Sequence, residues 1–336
     1  MNLTSTDTGG RVYMERALRL SLLGGPRVSP NPFVGAVIVA DGRIIGEGYH
    51  RRFGEAHAEV NAINSVSPAD RQLLRHSQMY VTLEPCSHFG KTPPCAELIV
   101  RTGIPHVVVA AEDPFLKKHG SGIEKMRDAG IKVDVGLMEK EAREINRKFF
   151  TAHTLGRPYV LLKWAQSADG FIARADRSPV SFSTPFTKML MHRERAMYDA
   201  ILAGTGTLIS DRPRLTCRLW PSRDPHSRPL KVSFDGPAIA DLQEVVDETW
   251  ILKKKEETLE NFLHRLYADH GVISLMVEGG LATLRSFIAA KLADEIRVET
   301  AHEMLGQGIP APNFSGLHKP LISSEQYGTN SIDRYC

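Results

Sequence analysis

The sequence predicts a protein of two α/β domains, the first over residues 1–150 and the second over residues 151–336. Apolar strand patterns alternate with helical patterns in both halves, an order that packs helices against the faces of a sheet. The two halves are separated by a polar segment that is broken by Gly156-Arg157-Pro158, as is typical of a domain boundary. With 336 residues, each half is long enough to bury a core of its own.

The overall composition is that of a globular protein and argues against several classes of partner. Hydrophobic residues make up 42% of the chain and charged residues 24%. The formal net charge is only +3, which gives no electrostatic reason to expect a nucleic-acid partner. No apolar run approaches the ~20 residues of a membrane-spanning helix, and the first residues lack a signal-peptide pattern. We therefore expect a cytoplasmic protein without a membrane or nucleic-acid partner.

The elements of the first half follow from hydrophobic periodicity and turn residues. A helix is predicted over Tyr13–Leu23, and Gly24-Gly25-Pro26 ends it. The residues on its apolar face are Met14, Ala17, Leu18 and Leu22. A hairpin follows, in which Asp41-Gly42 supplies a two-residue turn. The further predicted elements are strands at 34–39, 43–49, 79–83, 106–110 and 132–135, and helices at 58–66, 96–101, 123–129 and 139–150.

The second half repeats this alternation. A helix through Met197 is predicted to begin after Thr184, because threonine is a good N-cap and Pro185 suits the first helical position. Strand 273–277 runs into Glu278-Gly279-Gly280 and then into a helix over 281–291, a turn whose bare backbone N–H groups suit a phosphate. The other predicted strands are 159–164, 200–203, 230–234 and 249–252. No Gly-x-Gly-x-x-Gly follows the first strand, so a Rossmann fold is not indicated.

Four residues of the first half form the pattern of a hydrolytic zinc site. His57 and Glu59 lie at the start of a predicted helix, Cys86 follows a strand, and Cys95 precedes another helix, where the helix N-terminus favours a thiolate. A catalytic zinc ion usually keeps three protein ligands and leaves the fourth position to water. We expect His57, Cys86 and Cys95 to be the ligands and Glu59 to be the general acid and base, which is the arrangement of zinc deaminases.

Three other interpretations of these residues stay open at the level of sequence. A closed structural zinc site would add His88 as a fourth ligand, but it would leave Glu59 without a role and water without a position. A nucleic-acid base deaminase would be expected to show the short Cys-x-x-Cys spacing, whereas eight residues separate Cys86 from Cys95. The third alternative is a binding module that zinc stabilises but that has no enzyme activity.

The insert between the two cysteines resembles a known family. The run from Glu84 to Cys95, which reads EPCSHFGKTPPC, is similar to the hallmark of the bifunctional riboflavin-biosynthesis deaminase/reductase. Matching segments in both halves lie at 30–35, 48–50, 57–60, 112–114, 156–158, 167–170, 195–196, 211–218 and 278–280. The resemblance extends from about Tyr13 to about Gly308.

For the first half, the resemblance implies a cytidine-deaminase-like α/β/α sandwich. This domain would hydrolytically deaminate a phosphorylated pyrimidine, 2,5-diamino-6-ribosylamino-4(3H)-pyrimidinone 5′-phosphate. Zinc would lower the pKa of its bound water to about 7, and Glu59 would transfer the protons. The residues that the resemblance places on the base and the sugar phosphate are Asn31, His50, His88, Lys91, Thr92 and Asp113.

For the second half, the resemblance implies a dihydrofolate-reductase-like α/β domain that uses NADPH. It would reduce the ribosyl side chain and give 5-amino-6-ribitylamino-uracil 5′-phosphate. The residues implied to contact NADPH are Ala165, Thr207, Asp211, Gly279 and Gly280. Those implied to contact the substrate are Lys163, Arg195, Leu215, Arg218 and Glu278, with the arginines on its phosphate. The alternative for each arginine is a surface or ion-pair role.

Two features of the second half depart from the family pattern. Segment 179–184 lacks the usual tryptophan, so that Phe182 is the nearest ring that could cover a nicotinamide, and Arg212 follows Asp211 where an acidic or amide residue is common. A deaminase with a degenerate reductase domain is therefore an alternative. We also expect Cys217 and Cys336 to be free thiols and the protein to be a homo-oligomer, either a dimer or a tetramer.

Overall fold

A computed structural model describes residues 5–87, 94–115, 121–176, 178–220, 229–235, 242, 246–247 and 249–336. The chain forms two compact units, Met1–Thr154 and Leu155–Cys336. The division falls at the end of a helix, a few residues beyond the predicted boundary. None of the helices in the described ranges is long and apolar enough to cross a membrane.

The first unit is built around one five-stranded sheet. Its elements are α1 (Ser5–Ser21), a 3₁₀ helix (Leu22–Val28), β1 (Gly35–Ala40), β2 (Arg43–Tyr49), α2 (Ala58–Ser65), a 3₁₀ helix (Pro68–His76), β3 (Gln78–Val81), α3 (Cys95–Thr102), β4 (His106–Val109), α4 (Gly122–Asp128), β5 (Lys132–Val135), α5 (Glu139–Ile145) and α6 (Arg147–Leu155). The strand order is β2-β1-β3-β4-β5. Strand β1 is antiparallel to both neighbours, whereas β3, β4 and β5 are parallel.

Helices cover both faces of this sheet, which confirms the predicted α/β/α sandwich. On one face, α2, α3 and α4 pack their apolar residues against the strands in a single buried core. On the other face, α1 lies directly against β1 at Gly35, where a Cβ atom would come within 2.0 Å of the Ala17 carbonyl oxygen. Glycine is therefore required at this position for the helix to approach the sheet.

Two expectations for the first unit were wrong. Leu22 was predicted to lie on the buried face of α1, but the α-helix ends at Ser21 and Leu22 is 55% exposed. The single helix predicted over 139–150 is two helices, because the chain leaves helical geometry at Asn146, and the second helix continues to Leu155.

The break at Asn146 coincides with hydrogen bonds from this residue to a distant loop. The Asn146 side chain is buried and is hydrogen-bonded to both backbone groups of Phe33: its Oδ1 accepts from the Phe33 N–H at 2.7 Å, and its Nδ2 donates to the Phe33 carbonyl at 2.9 Å. It thereby fixes the loop that leads into β1.

We expect Asn146→Ala to lower the free energy of unfolding of the first unit by about 2–3 kcal/mol, because two buried backbone groups of Phe33 lose their partners. Urea unfolding of the full chain, combined with hydrogen exchange at the Phe33 amide, measures this effect. Asn64→Ala, which removes an exposed amide from α2, is the matched control. Equal stability of the two variants would contradict the expectation.

The second unit contains an eight-stranded sheet with the order β10-β9-β8-β11-β6-β12-β15-β14. Its elements are β6 (Tyr159–Gln166), β7 (Phe171–Ala173), α7 (Pro185–Arg195), β8 (Ala200–Leu202), α8 (Thr205–Asp211), β9 (Leu230–Phe234), β10 (Ile251–Lys253), α9 (Leu259–His270), β11 (Ser274–Val277), α10 (Leu281–Ala289), β12 (Glu295–Thr300), β13 (Ile309–Pro310), a 3₁₀ helix (Ser315–Leu317), β14 (Leu321–Tyr327) and β15 (Asn330–Tyr335). Strands β7 and β13 form a separate pair.

The six strands from β10 to β12 are parallel, and the hairpin β14–β15 adds two antiparallel strands at one edge. Helices α9 and α10 pack on one face of the sheet, and α7 and α8 pack on the other. The predicted α/β architecture is confirmed. The elements that the sequence patterns did not predict are α8, α9, β7 and the four strands after α10.

Candidate functional sites

His57, Cys86 and Cys95 come together where α2 and α3 begin. The Nδ1 atom of His57 lies 3.5 Å from the Sγ of Cys86 and 3.4 Å from the Sγ of Cys95. In a tetrahedral zinc site with Zn–N near 2.0 Å and Zn–S near 2.3 Å, such ligand atoms are about 3.5 Å apart. Within the described ranges, these three residues are the one group with the geometry of a metal site. They therefore fit a zinc ion.

The local structure prepares these ligands for a metal. Cys95 is the first residue of α3, and its backbone N–H donates to the Cys86 Sγ at 3.3 Å. The pKa of Cys86 is lowered to about 4, chiefly by a hydrogen bond from the Cys95 thiol and also by His57. The same shared proton raises the pKa of Cys95. A bound zinc ion would displace that proton, because thiols that coordinate zinc are deprotonated.

Glu59 is the second residue of α2 and its carboxyl group is buried beside the cysteines. Burial raises its pKa to about 7. A zinc cation next to it would favour the carboxylate form. A carboxyl group that both accepts and releases protons near neutral pH has the property that general acid–base catalysis requires.

Two of the three zinc ligands, His57 and Cys86, line a cavity of about 340 Å³ together with Glu59. Three residues predicted to bind the substrate, Asn31, His50 and Asp113, line the same cavity. The Nδ1–H of His50 donates to the Ala56 carbonyl at 3.2 Å, so that Nε2 accepts from the Asn31 amide at 3.1 Å. Burial lowers the pKa of His50, which keeps the ring neutral. His50 therefore orients Asn31 at the wall of the cavity. The other predicted substrate residues, His88, Lys91 and Thr92, lie outside the described residues.

A buried carboxylate that sequence reasoning missed holds the loop of Asp113. Glu84 accepts hydrogen bonds from the Asp113 N–H at 3.2 Å, the Ser121 hydroxyl at 2.6 Å and the Ile123 N–H at 3.2 Å. The sequence did contain a signal for Glu84, because this acidic residue stands between an apolar strand and the Pro-Cys pair. Its position suggests a structural role and not a catalytic one.

An aromatic wall, made of Phe115, Phe149 and His153, closes another side of the cavity. The His153 ring lies 4.3 Å from the Phe149 ring and 5.2 Å from the Phe115 ring, measured between centroids. Burial lowers the pKa of His153 to about 4, so that this ring is neutral near neutral pH. The predicted helix stopped at Phe150, so sequence reasoning did not place His153 in this wall.

In the second unit, Lys163 and Glu278 lie near the carboxyl ends of adjacent parallel strands, where Val277 pairs with Leu162. Glu278 makes a two-pronged ion pair with Arg195, with Nε–Oε1 at 2.5 Å and Nη2–Oε2 at 2.7 Å. The Nη1 of Arg195 donates to the Thr216 carbonyl at 3.0 Å. Burial opposes the ionisation of Glu278, but Arg195 and Lys163 hold its pKa below its usual value.

The two predicted arginines differ in their surroundings. The guanidinium of Arg195 pairs with Glu278 and donates to a backbone carbonyl, which is the ion-pair role that was the alternative to phosphate binding. Arg218 is exposed and donates to the Thr216 hydroxyl at 3.1 Å. Leu215 has a left-handed backbone (φ 48°), and its side chain is buried in the apolar core.

Three of the five predicted cofactor residues lie near the starts of the helices that follow β8 and β11, namely Thr207, Gly279 and Gly280. Ala165 lies in β6. Gly279 and Gly280 have φ values of 122° and 68°, and Gly280 caps α10. A Cβ atom at Gly280 would lie 2.9 Å from the Thr207 hydroxyl oxygen, so these two residues are neighbours. Such an open turn fits the phosphates of NADPH, because backbone N–H groups and a helix N-terminus can face them. Asp211 is exposed at the far end of α8.

Strand β12 adds a set of charged residues that the sequence patterns did not predict. Its sequence EIRVET alternates charged and apolar residues, which places Glu295, Arg297 and Glu299 on one face of the sheet. Arg297 pairs in register with Lys163, and Glu299 pairs with Ala165. The Nε of Arg297 lies 2.9 Å from the Glu194 carboxylate, in an ion pair that lacks hydrogen-bond alignment. The alternation was the signal that could have identified this strand.

Comparisons with known proteins match both units. Residues 10–111 match the family described as the cytidine and deoxycytidylate deaminase zinc-binding region, and residues 158–332 match the RibD C-terminal domain. The riboflavin biosynthesis protein RibD of Aquifex aeolicus is 39% identical over 321 residues, which cover 88% of each chain. The protein of the same name from Escherichia coli is 34% identical over 327 residues, which also cover 88% of each chain.

Solved structures agree with these relatives over almost the full length. Acinetobacter baumannii RibD, form 1, is 30% identical, with a TM-score of 0.87 over 98% of this chain and 99% of that chain. A Thermotoga maritima protein is described as a diaminohydroxyphosphoribosylaminopyrimidine deaminase/5-amino-6-(5-phosphoribosylamino)uracil reductase. It is 33% identical, with a TM-score of 0.85 over 98% of this chain and 99% of that chain.

Proposed function

The chain belongs to the RibD family of bifunctional deaminase/reductases of riboflavin biosynthesis, and from this premise we propose how its own residues carry out the two reactions. The first unit deaminates 2,5-diamino-6-ribosylamino-4(3H)-pyrimidinone 5′-phosphate. The second unit uses NADPH to reduce the ribosyl group of the deaminated product to ribityl.

The deaminase site uses Glu59 as its proton carrier. His57, Cys86 and Cys95 would hold a zinc ion, which would lower the pKa of a bound water molecule to about 7. The Glu59 carboxylate takes a proton from this water and passes it to the pyrimidine ring nitrogen. The oxygen of that water bonds to the ring carbon that carries the amino group. Glu59 then transfers the second water proton to the amino nitrogen, the C–N bond breaks, ammonia leaves and a carbonyl remains. The observation that supports this proposal is the burial of Glu59 beside the three-ligand cluster, at the cavity that His57 and Cys86 also line.

The reductase site uses Lys163 as its proton donor. Bound NADPH would supply the hydride that reduces C1′ of the sugar. As the C1′–O4′ bond breaks, O4′ must gain a proton, and Lys163 is the predicted substrate residue that can release one. Glu278, fixed by Arg195, lies on the neighbouring strand and holds the Lys163 side chain by its charge. Arg218 is the exposed arginine that meets the substrate phosphate.

A coupled assay tests both activities in one sample. Purified zinc-loaded protein is given the diaminopyrimidine ribotide and NADPH, and ammonia release and NADPH oxidation are followed together. We expect ammonia to appear first and NADPH oxidation to follow. Ammonia without NADPH oxidation would identify a deaminase with an inactive second unit, and release of neither product would contradict the proposal.

We expect Lys163→Met to lower kcat for NADPH oxidation by about 100-fold or more, because a general acid contributes at least this much, and to leave ammonia release unchanged. NADPH oxidation is measured with the deaminated product as substrate. Lys188→Met, which removes an exposed lysine of α7, should behave like the parent protein. Equal rates in the two variants would exclude Lys163 as the proton donor.

We propose that the protein acts in the cytoplasm as a homo-oligomer, either a dimer or a tetramer. Support comes from β14, which lies at the edge of the large sheet and exposes Leu321 and Ile322, because an apolar edge strand is a common site of association. Light scattering of the purified protein distinguishes these forms from a monomer.

A further inference from the structure

Glu299 is a buried carboxylate of the second unit to which neither reaction has yet given a role. It stands near the carboxyl end of β12, opposite Ala165 of β6, and two residues after the register partner of Lys163. Because side chains two residues apart on a strand share a face, Glu299 lies on the same face of the sheet as Lys163. It is fully buried.

Neutral donors hold the carboxylate in place. Its Oε2 accepts from the Ser183 hydroxyl at 2.9 Å, and its Oε1 accepts from the Asn330 amide at 2.8 Å. Thr187 of α7 also hydrogen-bonds to it. Asn330 is itself buried and donates to the Phe182 carbonyl at 2.8 Å. One carboxylate thus joins β12, β15 and the segment that leads into α7.

Four charged residues act on the ammonium group of Lys163. Glu278 and Glu299 attract its ammonium group, whereas Arg195 and Arg297 repel it. Glu278 already shares its charge with the guanidinium of Arg195 in a two-pronged pair. Glu299 is held by a hydroxyl and an amide, which leave its full negative charge in place. Among these groups, Glu299 is therefore a strong counter-charge for the lysine.

We propose that Glu299 is a positioning residue of the reductase site, which supplies the negative charge that holds Lys163 as an ammonium group facing the substrate sugar. This inference rests on the proposed role of Lys163 as proton donor. Glu299 makes no bond to the substrate. Before the reaction it stabilises the ammonium ion, and after the proton has passed to O4′ of the sugar, it favours the return of a proton from water to the amine.

Because Lys163 and Glu299 are shielded from water, the charge of Glu299 affects the protonation of Lys163. Removal from water lowers the pKa of Lys163, and the two carboxylates oppose this effect. Without Glu299 the ammonium form is less stable, so the pKa of Lys163 falls further and the active form is lost at a lower pH.

The test replaces Glu299 by glutamine, which has nearly the same size but no charge. With the deaminated product and NADPH, we expect the basic limb of the pH–rate profile to move about one unit lower, so that kcat on that limb falls about tenfold, as expected for the loss of a nearby opposite charge. The KM for NADPH and the ammonia release of the first unit should stay unchanged. Glu325→Gln, which removes an exposed carboxylate of β14, should leave the profile unchanged.

A basic limb that stays in place in Glu299→Gln would overturn the inference, even if kcat fell, because a merely structural role predicts no shift. If this variant does not fold, Glu299→Asp takes its place. Withdrawing the charge by one methylene should move the limb in the same direction by a smaller amount, and an unmoved limb would again overturn the inference. Normal activity of Lys163→Met would instead refute the role of the lysine, and with it this inference.

Discussion

Glu59→Gln is expected to lower kcat for ammonia release by about 1,000-fold, because the amide cannot carry protons between water, ring nitrogen and leaving group. The three ligands are untouched, so zinc should remain bound, as metal analysis of the purified variant would show. Given the deaminated product, the variant should oxidise NADPH at the rate of the parent protein. These three measurements separate a catalytic carboxylate from one that stabilises the fold.

The matched control is Glu97→Gln. Glu97 lies in the first turn of α3, which also carries Cys95, but its side chain is on the surface and pairs with Lys125 at 3.0 Å. Both variants lose one negative charge near the same helix. Ammonia release by Glu59→Gln at the rate of Glu97→Gln would refute the proposed mechanism and favour a zinc-stabilised module without this activity.

Cys86→Ala should remove zinc and deamination together. Two remaining ligands hold zinc poorly, since the geometry of His57 with Cys86 and Cys95 is that of a three-ligand site. We expect metal analysis to show almost no zinc, ammonia release to vanish, and the first unit to unfold at a lower temperature, because metal binding adds to folding free energy. NADPH oxidation with the deaminated product should persist.

Cys336→Ala is the control for this experiment, since it removes an exposed free thiol from the second unit. It should keep its zinc and both activities. Full zinc content in Cys86→Ala would show that the metal is bound elsewhere. A chelator offers an independent check: it should stop ammonia release by the parent protein and leave NADPH oxidation intact.

The sequence predicted the zinc cluster well because the relevant information is local. His57 and Glu59 are fixed by the first turn of one helix, and Cys95 by the start of another, so that spacing alone indicates the ligands. The helix break at Asn146 was not predictable in the same way. It depends on Phe33, more than a hundred residues earlier, and a helical pattern does not record a hydrogen bond to such a distant backbone group.

The reductase residues show more clearly that local sequence patterns do not reveal contacts between distant residues. Arg195 and Glu278 were both predicted at the site, but periodicity does not reveal that they pair with each other across 83 positions. Strand β12 was missed because its buried face carries Glu295, Arg297 and Glu299, and charged residues weaken the apolar signal by which buried strands are recognised. Phe182, which the family pattern indicated as a ring that could cover a nicotinamide, is buried, and its carbonyl accepts a hydrogen bond from the Asn330 amide.

The order of the strands along the chain determines which unit can fold first during translation. All strands of the five-stranded sheet have been synthesised before residue 155 leaves the ribosome. In the second unit, β6 pairs with β11, which is synthesised more than a hundred residues later, and Glu299 bonds to Asn330, which also follows it in the chain. At the usual pace of synthesis, the first unit is finished roughly 10–40 s before the second. It can therefore fold and acquire its metal first, and translation that stops within the second half would release a working deaminase with no reductase beside it.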